Sequence, residues 1–289
     1  MPFTPSHAVV ALPFVRTPLV PAAIAVGAMT PDLPIFTRGY LLRYSATHDL
    51  AWLPATLLLA LVLLLVWRCV LRPAARELSP SWLAARLPSE WDRGAGRALA
   101  ETLGGGVRGI LLLVASLAIG VVSHIVWDLF THHGRWGVRL LPALDTGWAG
   151  QPLYAWLQDA SSALGLGILA VAGVLWLRRR PASPPVRRFP RLVRWTWWVS
   201  LPVVLAAAAV RGYAVFGPFR PGFGIEHLAY LVLPPAAALW GVATLVLAVA
   251  VAPSRRRVDA ERGRGGGHAH LGSSRPQGRG GSKRVGQPG

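Results

Sequence analysis

Long uncharged apolar runs alternate with short stretches crowded with arginine. The runs cover residues 50–71, 107–130, 155–177, 195–215 and 228–252. Each meets or approaches the roughly 20 apolar residues that a helix needs to cross a hydrocarbon layer of about 30 Å. The clearest reads LAWLPATLLLALVLLLVWRCVL; in the third, a purely apolar core begins only near Ser161. The pattern predicts an all-α fold, an integral membrane helical bundle of about five spans.

Residues 7–29 break the pattern. They are apolar apart from Arg16, but Pro13, Pro18 and Pro21 sit among them. Proline removes a backbone donor and clashes with the preceding turn, so a straight spanning helix is disfavoured. Two short helices are expected, at about 6–14 and 21–29, joined by a bend at FVRTPLVP. Irregular backbone at membrane depth must be covered by protein or line a wet cavity. The segment is therefore either re-entrant, returning His7 and Asp32 to one side, or a kinked full span. The first puts the N-terminus outside and the second puts it inside.

Composition sharpens this reading. Hydrophobic residues make up 53% and charged residues 15%, against about 25% charged in soluble domains. The net charge is +18, and Lys283 is the only lysine. That bias fits a GC-rich bacterial genome. The arginines flank apolar spans, and no basic-aromatic patch or recognition helix accompanies them, so no nucleic-acid partner is expected. Arginine is densest in 72–108, 178–194 and just after Pro253. By the positive-inside rule those regions are cytoplasmic, the C-terminus included, in a multi-pass protein of the bacterial plasma membrane. Residues 1–253 form the expected membrane domain. The Gly-, Arg-, Ser- and Pro-rich 254–289 form an expected disordered basic tail, in which His268 and His270 receive no role. The opening residues lack a positive n-region and are expected to remain in the mature protein. The lone Cys69 excludes an internal disulfide and a cysteine-rich zinc site.

Polar residues in or beside apolar spans are costly and therefore mark function. His124, Asp128 and His132 recur at i, i+4 and i+8 in SHIVWDLFTHH. On a continuous helix they share one face. Histidine and aspartate are ordinary ligands of zinc and similar divalent metals. Three of them span about 12 Å of helix axis, which suits either two metals or one metal with a supporting residue. Asp32 in MTPDLP, His48 and Asp49 in ATHDL, and His7 fall on the same expected side. Asp145, Asp159, His133, Glu226 and His227 do too, but capping, loop or interfacial roles explain those five better. The main candidates have plain readings as well: Asp32 as a turn former, His124 as a donor to a helix carbonyl, Asp128 as a partner of Arg135 or Arg139. Their convergence on one membrane face favours a site.

The opening MPFTPSHAVVALP, then GAMTPDLPIF, THDL and SHIVWDLFTH, resembles a bacterial family of multi-pass membrane proteins of unknown function over most of residues 1–250. More distantly it is similar to bacterial inner-membrane proteins described as metal-dependent hydrolases. That resemblance implies His7, Asp32, His48, His124 and Asp128 as metal ligands, with His132 a further candidate. The chain departs from that pattern at THDL and at the plain PDLP turn. The expectation is a hydrolase at the outer leaflet using a divalent metal such as zinc. Asp128 or Asp32 would serve as ligand or general base, and a lipid-like phosphoester would be the substrate. The alternative is a non-enzymatic membrane scaffold or transport-related protein whose His and Asp residues are structural.

Overall fold

The computed structural model describes residues 4–183, 187 and 189–268. It is 78% helical. The helices are α1 (Pro21–Met29), α2 (Leu33–Phe36), α3 (Tyr44–Thr47), α4 (Leu53–Val66), α5 (Arg72–Leu78), α6 (Ser81–Ala84), α7 (Ala95–Leu103), α8 (Gly106–Thr131), α9 (Trp136–Leu140), α10 (Leu153–Arg178), α11 (Arg191–Phe216) and α12 (Ile225–His268). The one sheet among the described residues is a two-stranded ribbon, Gly147–Trp148 with Gln151–Pro152. Five helical stretches are long and apolar enough to cross a membrane: Leu50–Leu78, Gly106–Thr131, Leu153–Arg178, Arg191–Phe216 and Ile225–Ala250. They coincide with the five expected spans. Leu164 and Val171 on α10, Val203 and Val210 on α11, and Val242 and Val246 on α12 are all exposed. An apolar exterior of this extent belongs in lipid, and the protein is a multi-pass membrane protein.

Proline shapes the spans. Pro73 supplies no N–H to the helix ladder, and the turn just before it, Trp67–Leu71, widens to π geometry between α4 and α5. Pro235 likewise leaves the carbonyl of Leu231, four residues earlier, without its helical donor. The Arg38 guanidinium donates to that carbonyl at 2.6 Å, tying the loop after α2 to α12.

The N-terminal segment folds back on itself. Thr4–Phe14 is a 3-10 helix, and its His7 ring lies 4.1 Å from the ring of His124 on α8. The chain then descends, and the Val20 N–H donates to Ser116 Oγ at 2.9 Å. It climbs again through α1, whose last turn returns to His124 by way of the Ala28 carbonyl. Ser116 and His124 are eight residues apart, about 12 Å along the helix. Of the two sequence readings, the re-entrant one is the structure.

The α1–α8 pairing is close and fixed in register. Both hydrogen bonds join residues 96 apart in sequence, so the helices run parallel. A Cβ on Gly27 would sit 2.5 Å from the Leu117 carbonyl, and one on Gly120 would sit 2.7 Å from Ala28 N. Small residues let membrane helices approach until backbones touch. Ala23, Ala60, Leu64, Leu113, Leu117, Val121 and Ile125 form the core where α1, α4 and α8 meet.

At the other end of the first span lies a buried arginine knot. Arg187 donates to the carbonyls of Arg76, Glu77 and Ser79, capping the last turn of α5 as a cation should. Arg76 donates to the carbonyl of Ala84 at 3.2 Å and pairs with Asp92. The Glu77 carboxylate accepts the Phe189 N–H at 3.1 Å, and Trp198 donates to the Leu78 carbonyl. Arg76 and Arg187 belong to the arginine-dense regions expected to be cytoplasmic, and both are part of the packing. Helix α12 runs to His268; of the expected basic tail, 269–289 lie outside the described residues.

Candidate metal centre

The site is assembled by three short-range devices. The first is the PD turn. Thr30 Oγ1 donates to the Val26 carbonyl at 2.7 Å, closing α1 and leading into a 3-10 turn that ends at Asp32. The second is α3. Thr47 Oγ1 donates to the Pro31 carbonyl at 2.7 Å, which clamps α3 onto the PD turn and sets His48 beside Asp32. The third is α8, where His124 and Asp128 lie one turn apart on the face that meets α1.

Both imidazoles are oriented from behind. His124 Nδ1 is 2.7 Å from the Ala28 carbonyl and His48 Nδ1 is 3.0 Å from the Tyr44 carbonyl. A carbonyl can only accept, so each Nδ1 carries a proton, and in the neutral ring each Nε2 presents a lone pair. Those two Nε2 atoms face each other at 3.2 Å. Two lone pairs at that distance repel unless a proton or a metal cation lies between them.

Two carboxylates complete the arrangement. Asp128 Oδ2 is 3.3 Å from His48 Nε2 and 3.5 Å from His124 Nε2. Asp32 Oδ1 is 3.6 Å from His124 Nε2 and 3.9 Å from His48 Nε2. All four donor atoms lie within 4.8 Å of one another, and all four residues are buried. A tetrahedral ion with bonds of about 2.0–2.1 Å holds its ligands about 3.3 Å apart. The five measured separations, 3.2–3.9 Å, bracket that edge. The four residues fit a divalent cation such as zinc.

Electrostatics point the same way. The Asp32 and Asp128 side chains are each 3% exposed. Among the described residues, their ion-pair partners are histidines, not arginines. Buried carboxylates need compensation, and a cation between them supplies it. Outer contacts hold the carboxylates in place: Thr4 Oγ1 donates to Asp32 Oδ2 at 2.8 Å, and the Tyr44 hydroxyl donates to Asp128 Oδ2 at 3.2 Å. Burial, and then the charge of Asp128, push the Tyr44 hydroxyl above its ordinary value. Tyr44 therefore stays a donor at all working pH. Its ring stacks on His48 at 3.8 Å. Supporting contacts of this kind fix ligand tautomer and orientation.

The family model that matches residues 1–253 is described as Domain of unknown function (DUF4184). The chain belongs to this family. No curated protein and no solved structure matches it. The matched region contains every residue of the centre, and it ends at residue 253, within α12.

His7 and His132 border the four-donor centre. The His7 ring packs on His124. Helix α8 ends at Thr131, and His132 has extended backbone with φ −128 and ψ 138. The expected continuous i, i+4, i+8 face therefore stops at Asp128. His132 still arrives by its own turn, with Nδ1 3.7 Å from Asp128 Oδ2. Burial holds His132 below the ordinary histidine value, which keeps it neutral.

The remaining acidic and histidine candidates stay outside the centre. Asp49 accepts the Ala51 N–H and caps the turn that opens the first span. Asp159 accepts from Gln151. His227 Nδ1 accepts the Gly224 N–H at 3.4 Å, and His133 stands 6.0 Å from the Tyr154 ring. Asp145 and Glu226 are exposed. Sequence reasoning missed Thr4 and Tyr44. Thr4 belongs to the FTPSH opening, three residues before His7, and that proximity was its only signal.

Proposed function

We propose that the protein is a metal-dependent hydrolase of the bacterial plasma membrane, with Asp32, His48, His124 and Asp128 holding a divalent cation at the outer face. The carrying observation is four buried donors within 4.8 Å of one another, with every separation that involves an imidazole at 3.2–3.9 Å and both imidazoles oriented by carbonyls. A bound zinc or manganese would lower the pKa of a water and polarise a phosphoryl or acyl oxygen. Asp128 or Asp32 would serve as ligand or as general base toward that water, while Tyr44 holds the Asp128 carboxylate in position and Thr4 does the same for Asp32. His124 lies about 10 Å below the end of α8 by helical rise. That depth suits a lipid-like phosphoester whose headgroup reaches into the bundle. The arginine distribution supports a cytoplasmic C-terminus and hence an outward-facing site.

The test is metal content and activity together. Detergent-purified wild type is expected to carry stoichiometric metal, and the His124→Ala/Asp128→Ala variant none. Phosphoester hydrolysis should vanish on chelation and return with zinc or manganese; activity insensitive to chelator would sink the hydrolase.

One observation favours a second reading, a structural metal in a scaffold. Four protein ligands fill a tetrahedral shell, as closed structural sites do, and these four are between 0% and 7% exposed. That reading expects stoichiometric metal, loss of fold on chelation and no hydrolysis of any phosphoester or acyl reporter.

A further inference from the structure

We propose that the centre holds a second divalent cation, bound by Asp128 Oδ1, His7 and His132, with Asp128 bridging the two ions. The inference rests on the four-donor reading above and extends it.

Among the described residues, three side-chain atoms beside the centre are buried without a hydrogen-bond partner: Asp128 Oδ1, His7 Nε2 and His132 Nε2. Buried polar atoms are almost always satisfied, so each such atom needs an explanation. Three in one neighbourhood need a common one. Asp128 is the decisive residue. Its Oδ2 atom receives every recorded contact, from Tyr44, His48, His124 and His132. Its Oδ1 atom receives none, in a side chain that is 3% exposed. A carboxylate with one oxygen in a cation site and the other buried and bare is placed to bridge.

The two histidines supply the rest of the shell. His7 lies over the His124 ring and within electrostatic reach of Asp128, Asp32 and His132. His132 adjoins Asp128 from the end of α8. The pairing has a chemical consequence. The first site has four protein donors and is filled as a tetrahedron; the second has three and leaves one position open. Catalytic sites keep three protein ligands and an open position. His7 and His132 are only half-buried, unlike His124, so the second site lies nearer the surface than the first. Paired ions about 3.5–4 Å apart commonly clamp a phosphoryl group between them. The second site thus narrows the substrate class to phosphoesters and removes the objection that the first site is coordinatively full.

The test uses full-length protein in detergent, stripped with chelator and dialysed against excess manganese chloride. Bound manganese is counted by elemental analysis, and its coupling is read by low-temperature electron paramagnetic resonance. Wild type is expected to hold about two ions per chain with an exchange-coupled signal, as ions about 3.5–4 Å apart give. His7→Ala/His132→Ala is expected to hold half as much, with an isolated-ion signal. Both side chains are half-buried, and a monodisperse gel-filtration peak establishes that the variant folds. One ion in wild type and no change in the variant overturns the second site while the four-donor centre stands. The full wild-type content retained in the variant places the second ion elsewhere and overturns the proposal too. No ion in either protein removes both sites.

Discussion

The bundle buries polar side chains at both ends, and the two ends are built on opposite logic. At one end, Arg76, Glu77 and Arg187 are neutralised within the protein. Arg187 caps the last carbonyls of α5, Arg76 pairs with Asp92, and Glu77 accepts a backbone N–H. Positive and negative groups are both present, and backbone carbonyls take up most of the donors. At the other end, Asp32, His48, His124 and Asp128 turn acceptors toward one point. Their donors are spent outward, on Ala28 and Tyr44 carbonyls. The first arrangement closes its charges within the protein and holds helices together, although Arg187 Nε is buried without a partner among the described residues. The second becomes complete only when something positive enters. Burial alone does not mark a binding site; the sign and direction of what is buried does.

Substitutions at the two ends should therefore separate stability from metal content. The largest effect is expected from Arg76→Ala, which removes a buried guanidinium from the carbonyls of Ala84 and Ser183 and from Asp92. Each buried acceptor left unpaired costs about 1–3 kcal/mol, read as a large fall in thermal unfolding temperature in detergent. Metal per folded chain should be unchanged. Asp128→Ala should do the reverse, abolishing metal binding while relieving a buried charge, so that the metal-free variant unfolds no earlier than metal-free wild type. If Asp128→Ala lost stability and kept its metal, the contrast between the two ends would collapse.

Gly120→Val drives a side chain into Ile24 and Ala28. Overpacking of this kind costs about 1–3 kcal/mol. Because α1 carries the PD turn, metal content should fall with stability here. Thr47→Val removes the clamp between α3 and Pro31. The stability cost is about 1 kcal/mol, and metal affinity should drop about 10-fold, as for other supporting residues. The affinity is read by competition with a chromophoric chelator and the stability by thermal unfolding in detergent. Arg38→Ala is the smallest. It frees the Leu231 carbonyl at the proline of α12, should cost about 1 kcal/mol, and should leave metal affinity untouched.

The spans were legible because little besides a membrane helix needs 20 uncharged apolar residues. Nothing in the sequence singles out Arg38, and its service to Leu231 follows from Pro235 only once the two are known to be adjacent. The core of the site was legible for a related reason. His124 and Asp128 stand out in an apolar helix, and Asp32 and His48 stand out in short polar turns beside apolar runs. What was not legible is whatever depends on register. The 96-residue offset of α1 and α8 decides that the Ala28 carbonyl, which has no sequence signature, orients His124. Tyr44 and Thr4 donate through ordinary hydroxyls that occur in many loops. Asp49 illustrates the converse: adjacent to His48 in THDL, it looked equally suited to a metal, yet the chain turns it away to cap Ala51. Arg76 and Arg187 entered the sequence reading as part of the charge pattern for topology, and that rule contains nothing of their packing role.

The central claim is that His48, His124, Asp32 and Asp128 converge on a cation. X-ray absorption at the zinc edge of zinc-loaded protein tests it most directly. The account predicts a first shell of nitrogen and oxygen at about 2.0–2.1 Å, with outer-shell scattering from two or more imidazoles that weakens in His124→Ala. An all-oxygen shell without imidazole scattering, or zinc retained unchanged in His124→Ala, would contradict it.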